Sequence, residues 1–272
     1  MSPRDPVALG ADAIIPIVPG LRGELEALLE AVQRGEIAPS DGLERFTAFA
    51  YRDLGFARVD LHRELRQGAP EAVLAEGKTP GQVAEIVKAM LDAGAGTALV
   101  TRADEEVRTA VRAVAADAQE DARARAIWVA RATPEARGLI AMVSAGTSDG
   151  PVLHEARISA ELLGTKVVVN EDVGVAGLHR LAAIWPDLQQ ADCIVVVAGM
   201  DAALASVVGG LASSPVIGVP TSAGYGSAAG GNTALNAMLC SCAPGVAGVG
   251  IDDGFGAGTV SAMIARGAGD GR

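Results

Sequence analysis

Gly146, Thr147, Ser148, Asp149 and Gly150 form a small polar turn between an apolar run, Leu139 to Val143, and a segment whose Val152, Ala156, Ala160 and Leu163 recur at helical spacing. Strand, tight turn and helix in that order aim backbone N–H groups outward at a helix N-terminus, where the peptide dipoles favour an anion. The turn is a phosphate seat or, in a plainer reading, an Asp149 N-cap with Pro151 in the first helical turn. Cys242 lies between a helix end and the last strand and is expected on a loop of the ligand rim, where nearby positive charge would ionise its thiol into a nucleophile. The same residue also reads as a small buried hydrophobe or, with Cys240, as half of a metal site that few other ligands remain to complete. Cys193 opens an apolar strand and belongs to the core. His179, beside Arg180, follows a glycine-rich loop and opens a helix, which suits proton transfer near neutral pH or a merely solvated side chain. His154 and His62 are weaker candidates. HExxH, CxxC and Walker motifs are all missing.

Composition sets what must hold these residues in place. With 272 residues, 50% of them hydrophobic, the chain can bury one large core or two modest ones, and two are expected. Aromatics are only 3%, so the core is built of Ala, Val, Leu and Ile, as suits α/β layers around buried parallel strands. A balance of 22 basic against 33 acidic residues, with no Lys/Arg-rich block, argues against a nucleic-acid partner. No apolar run reaches membrane-spanning length, and Met1-Ser-Pro-Arg-Asp-Pro6 is not a signal peptide. A soluble, cytoplasmic protein with reduced thiols is the expectation.

From 139 onward the pattern is regular: strands over 139–144, 166–170, 193–198, 215–219 and 246–251 alternate with helices over 151–163, 177–190, 201–212 and 230–240. This predicts a parallel sheet covered on both faces through right-handed crossovers, with ligands beyond the carboxyl ends of its strands. Residues 131–272 form this second domain. Residues 1–130 are expected to be a smaller helical and α/β domain. It has two helices within 21–51 split at Pro39, strand pieces around Val59 and Val73, and a capping box at Thr79 and Gln82 that opens a helix. Strands over 97–101 and 126–129 flank a helix over 105–116.

The second half resembles the PurE fold of aminoimidazole ribonucleotide carboxylases and mutases, a three-layer, flavodoxin-like α/β/α domain. The resemblance rests on Gly146-Thr-Ser-Asp-Gly-Pro151, His179-Arg180, Ala198-Gly-Met200 and Pro215-Val-Ile-Gly-Val-Pro220. Nearly the whole chain is similar to the LarB family of nickel-pincer cofactor synthesis. The residues concerned are Phe56-Ala-Arg-Val-Asp-Leu-His-Arg63, Arg66-Gln-Gly-Ala-Pro-Glu71, Asp172-Val-Gly-Val-Ala-Gly-Leu-His-Arg180, Pro220-Thr-Ser-Ala-Gly-Tyr-Gly226, Ser241-Cys-Ala-Pro-Gly245 and Ile251-Asp-Asp-Gly-Phe-Gly-Ala257.

That resemblance implies carboxylation of the pyridinium ring of nicotinic acid adenine dinucleotide at carbon 5, with CO2 as co-substrate. It also implies cleavage of the phosphoanhydride to release AMP and pyridinium-3,5-biscarboxylic acid mononucleotide. Cys242 would add to ring carbon 4 and leave again intact. Catalytic roles fall to Cys242, His179, Ser148 and Asp149, and substrate-binding roles to Gly146, Thr147, Arg180, Gly199, Met200, Ser222, Tyr225 and Gly226. Positive charge for the anionic dinucleotide is expected from Arg63, Arg66, Lys78 and Arg180, which read equally as interface salt-bridge residues. Mg2+ is expected on the substrate phosphates, with Asp252 and Asp253 as guesses for protein ligands. A homo-oligomer, octameric in PurE-fold proteins, is implied as well. The alternatives are a PurE-type carboxylase or mutase acting on aminoimidazole ribonucleotide, and a non-catalytic nucleotide-binding module.

Overall fold

A computed structural model describes residues 19–48, 51–61, 63, 69 and 71–269. Two helices lead, α1 (Pro19–Gln33) and α2 (Pro39–Ala48), followed by a hairpin of β1 (Tyr51–Asp53) and β2 (Arg58–Asp60). Next come β3 (Ala72–Leu74), α3 (Pro80–Asp92), β4 (Thr97–Thr101), α4 (Glu105–Val114), β5 (Gln119–Asp121) and β6 (Ala126–Ala130). These four strands make a sheet in the order β3-β4-β6-β5, parallel only between β3 and β4. The Thr79 side chain accepts from the Gln82 amide while the Gln82 side chain accepts from the Thr79 amide, so the capping box starts α3.

The second sheet comprises β7 (Leu139–Ser144), β8 (Lys166–Asn170), β9 (Cys193–Ala198), β10 (Val216–Pro220) and β11 (Val246–Gly248). All four pairings are parallel, in the order β11-β10-β9-β7-β8. Counted along the chain from β8's edge this is 2-1-3-4-5, the flavodoxin-like order, whose switch point lies between β7 and β9. Helices α5 (Gly150–Leu162), α6 (Leu178–Ala183), α7 (Trp185–Gln190), α8 (Ala203–Leu211), α9 (Asn232–Leu239) and α10 (Gly254–Gly269) complete the layers. Two apolar clusters fill the two faces of the sheet. One is centred on Val143, Ile194 and Leu204, the other on Met142, Leu153, Val195 and Ala262.

Three departures from the sequence pattern have local causes. The helix expected over 177–190 breaks at Ile184, because Pro186 has no N–H to give the carbonyl of Ala182. The last strand stops at Gly248, since the chain turns through Gly250 and a left-handed Asp252. The helix α10 was not expected from its five glycines, yet it packs along α5. There a Cβ at Gly254 would lie 2.5 Å from the Val152 carbonyl oxygen, and one at Gly258 would collide with that of Ala156.

The two sheets share α5. Its Leu153, Ala156 and Ala160 face the parallel sheet, while Ile158 and Leu162 pack with Leu99, Ala126 and Phe255 against the other one. Ion pairs Arg157–Asp121 (3.0 Å) and Arg123–Glu171 (2.6 Å) tie the two units beside this apolar seam. No helix among the described residues is long and apolar enough to cross a membrane.

Candidate active site

The carboxyl ends of β7 and β9 part at the switch point, and a cavity of about 250 Å3 opens there. Gly146, Ser148 and Asp149 form one side, with Gly199 and Met200 opposite and Arg180 on a third. Residues Thr147–Asp149 make a single 3-10 turn that leads into α5. The Asp149 side chain makes no cap to that helix. It is buried, and accepts from the Gly146 N–H (2.9 Å) and the Thr221 hydroxyl (2.7 Å), which clamps the turn to the loop after β10. Burial is the main reason its pKa is raised, against the pull of those hydrogen bonds and with the Asp252 charge adding to the rise. Gly199 has no room for a side chain, because a Cβ would strike the Ala223 carbonyl. Arg180 donates to Asp172 at 2.6 Å, which holds the guanidinium at the rim.

A second cavity, of about 290 Å3, adjoins the first and shares Ser148 and Ala223 with it. One wall comes from the parallel sheet's rim, with Glu155, Ser222 and Asp252, and the other from the four-stranded sheet, with Arg102 and Arg125. Antiparallel pairing of Val100 with Ile127 brings these two arginines level, just beyond the described register. The Ala103 amide donates to the Arg125 carbonyl at 2.6 Å. Arg102 reaches both Glu76 (2.8 Å) and the Asp252 carbonyl (3.0 Å), and so binds the two units across the cavity. Glu155 is buried, and its pKa is pushed up to about 7 mainly by that burial, with Asp253 and Asp252 adding to it and Arg102 opposing.

Backbone strain concentrates at the same place. Six described non-glycine residues have left-handed φ: Arg102, Arg125, Asp172, Met200, Ala202 and Asp252. Five of them line one cavity or the other, and Asp172 holds Arg180. Such conformations cost of order 1–3 kcal/mol each and collect where function fixes the chain.

Comparison with known proteins follows the same division. Residues 51–131 match the family described as LarB/PurE-like N-terminal domain, and residues 139–269 match AIR carboxylase. The chain is also 36% identical over 254 residues to the uncharacterized protein MJ0165 of Methanocaldococcus jannaschii, covering 89% of this chain and 97% of that one. The chain belongs to the LarB family. Its PurE-like half carries the switch-point cavity, and the family's N-terminal domain supplies Arg102 and Arg125 to the second.

Against this LarB-family frame the expected site residues divide. Gly146, Ser148, Asp149, Arg180, Gly199 and Met200 meet at the first cavity, and Ser222, its amide bonded to Asp252 at 2.8 Å, lines the second. Thr147, Tyr225 and Gly226 stand on the same rim outside both linings, with Tyr225 77% exposed. His179 is exposed and outside the linings also, one residue from Arg180. Arg63 is engaged with Glu71 (3.4 Å) and the Phe255 ring (5.7 Å), and Lys78 donates to the Leu74 carbonyl (2.8 Å); neither lines either of these two cavities. Arg66 and His62 lie outside the described residues. His154 is tied to Glu171 at 3.0 Å in the seam between the units. Cys193 is fully buried, which pushes its thiol up to about 12.

Cys242 corrects the placement read from sequence. It precedes β11, whose Val246 pairs with Val216 at the start of β10, so the thiol lies at the amino edge of the sheet. The rim is at the other edge, and a five-residue strand such as β10 spans roughly 16 Å. The loop is pinned by Ser241 to Ser206 (2.8 Å), and Cys242 is exposed. The arginines of the second cavity were missed because neither has a motif; only the strand register brings them together. Among the described residues no group of three or more His, Cys, Asp or Glu is placed to hold a metal ion. Asp252 and Asp253 each accept a backbone amide, from Ser222 (2.8 Å) and Gly256 (2.7 Å).

Proposed function

We propose that the protein carboxylates carbon 5 of the pyridinium ring of nicotinic acid adenine dinucleotide and then hydrolyses the phosphoanhydride, yielding AMP and the 3,5-biscarboxylic acid mononucleotide. One observation carries the reading: a cavity at the PurE-type switch point adjoins, across Ser148 and Ala223, a second one walled by the N-terminal sheet. A one-ring mononucleotide needs only the first.

The chemistry accounts for a thiol. A pyridinium ring is electron-poor and does not attack CO2. Thiolate addition at carbon 4 turns it into a dihydropyridine whose carbon 5 is nucleophilic, and carbon 5 then bonds to CO2. Loss of the carbon 5 proton, with His179 as the candidate acceptor, and expulsion of the thiolate restore the aromatic ring and the enzyme. Water then adds to phosphorus, and AMP leaves. The amides of Thr147 and Ser148 hold the ribose phosphate, and Asp149, bonded to the Gly146 amide, fixes that turn. Magnesium would sit on the substrate's phosphates, where it would offset the charge of the leaving AMP.

Because Cys242 stands at the far edge of its own sheet, the proposal takes the thiol from a neighbouring copy of the chain. Exposed Leu211 (61%) and Leu239 (63%), at the ends of α8 and α9 on that edge, favour such contact. The test is mass spectrometry of products from the dinucleotide, magnesium and labelled bicarbonate, with wild type beside Cys242→Ser. Labelled biscarboxylated mononucleotide plus AMP from the wild type alone supports both reaction and nucleophile. Carboxylation of aminoimidazole ribonucleotide instead would replace the reading with the purine-type reaction.

A further inference from the structure

The loop that carries Cys242 is held by contacts that apolar packing does not call for. Helix α8 reads Ala203-Leu-Ala-Ser-Val-Val-Gly-Gly-Leu211, and Ser206 has its only polar side chain. A serine inside a helix ordinarily turns its hydroxyl back to its own backbone. Here the hydroxyl meets that of Ser241 at 2.8 Å, 35 residues along the chain. The Ser241 oxygen in turn accepts the Ala243 amide at 3.2 Å, which closes a turn with Cys242 as its central residue.

Both ends of that turn are anchored. The Ser241 amide donates to the Met238 carbonyl (3.2 Å) at the end of α9, and the Gly245 carbonyl accepts from the Val216 amide (2.9 Å) at the start of β10. Gly209, three residues beyond Ser206 and so on the same face of α8, lies close against the loop: a Cβ there would strike the Val246 side chain and come within 3.2 Å of the Ala243 Cβ. Ser241 and Ala243 are half-buried, whereas Cys242 between them is exposed. The turn alone needs no hydroxyl from a neighbouring helix, since Ser241 already satisfies the Ala243 amide. What Ser206 adds is a fixed direction for the Ser241 side chain, and through it for the turn.

We infer that Ser206 is a positioning residue: acting through Ser241, it keeps the turn in one conformation, so that the Cys242 thiol is presented outward from the amino edge of the sheet in a set direction. This rests on the reading above that Cys242 is the nucleophile. A thiol lent to a ring bound in another copy has its direction set by its own loop, and alignment of the reacting atoms supplies much of a rate enhancement.

The test joins amide hydrogen exchange over residues 240–246 with steady-state kinetics on nicotinic acid adenine dinucleotide, for wild type, Ser206→Ala, Ser206→Thr, Ser241→Ala and the double alanine variant. Thermal melting verifies that each is folded at the assay temperature. S206A should speed exchange in this segment, lower kcat by roughly ten- to a hundredfold and leave KM within about twofold, because the turn shapes the reacting geometry and not the substrate's seat. S206T restores the hydroxyl and should recover most of kcat. The double variant should be no slower than S241A, since both substitutions break one chain of bonds. Wild-type kcat in S206A despite faster exchange, a loss that S206T does not recover, or losses that multiply in the double variant overturn the positioning role and spare the reaction. Unchanged exchange in S206A overturns the clamp itself. A wild type that forms no labelled product, with exchange still faster in S206A, keeps the clamp and removes the reaction.

Discussion

Glu155 is the residue whose environment is least like its sequence. Nothing in Leu153-His-Glu-Ala156 marks this glutamate from others on helices, yet α5 lies between two sheets, and so its carboxyl is buried beside Asp252 and Asp253 with Arg102 in opposition. Its pKa of about 7 in the fold stands above its ordinary value of 4.5, so the folded chain holds a proton that the unfolded chain has lost. The stability this contributes is complete below pH 4.5 and declines as pH rises towards 7, by on the order of 2–3 kcal/mol. Wild type should therefore melt several degrees lower at about pH 8 than at about pH 5. Glu155→Gln should flatten most of that slope, with Asp149 and Glu161, also raised by burial, leaving a remainder. A slope as steep in E155Q as in wild type would remove Glu155 as its source. The turn Gly146–Asp149 was legible because its local sequence dictates its shape. Asp149's role was not, since its partner Thr221 is 72 residues away.

Among the elements, the alternating strands and helices from 139 to 239 could be read because each strand is predominantly apolar and separated from the next by a helix-length segment. Helix α10 could not. Five glycines in Gly254–Gly269 lower its intrinsic helix propensity, and the reason for two of them lies on another helix. Gly254 and Gly258 let α10 approach the backbone of α5 at Val152 and Ala156, which both closes the core and supports Glu155. Gly258→Ala forces the two helices apart and should cost about 1–3 kcal/mol, lowering Tm by roughly 3–10 °C. Gly267, with open space around it, is the internal control: its replacement by Ala should leave Tm unchanged or raise it slightly through helix propensity. Equal losses at both positions would show propensity, not close approach, to be what glycine supplies here.

At the scale of the whole molecule, the parallel sheet puts the phosphate-seat turn and Cys242 at opposite edges. Sequence reasoning placed both on one rim because the two segments are each glycine-bearing and loop-like. It had no register with which to see that a residue before a strand and a residue after one lie a strand's length apart. In the proposed reaction each working site then joins the rim of one copy to the thiol of another, and this can be tested without a structure of the assembly. Gly146→Asp places a carboxylate where the proposed reaction seats the substrate phosphate, in a spot with room for it, since a Cβ there has no neighbour nearer than 3.7 Å. Cys242→Ser spares the rim and removes the thiol. Alone, each variant should be inactive. In assemblies formed by co-expressing equal amounts of the two, random pairing unites an intact rim with an intact thiol at about a quarter of the sites, and activity should return to about a quarter of wild type. Mixed assemblies as inactive as their parents, verified by mass to contain both chains, would place the thiol's action within one chain or outside the reaction altogether.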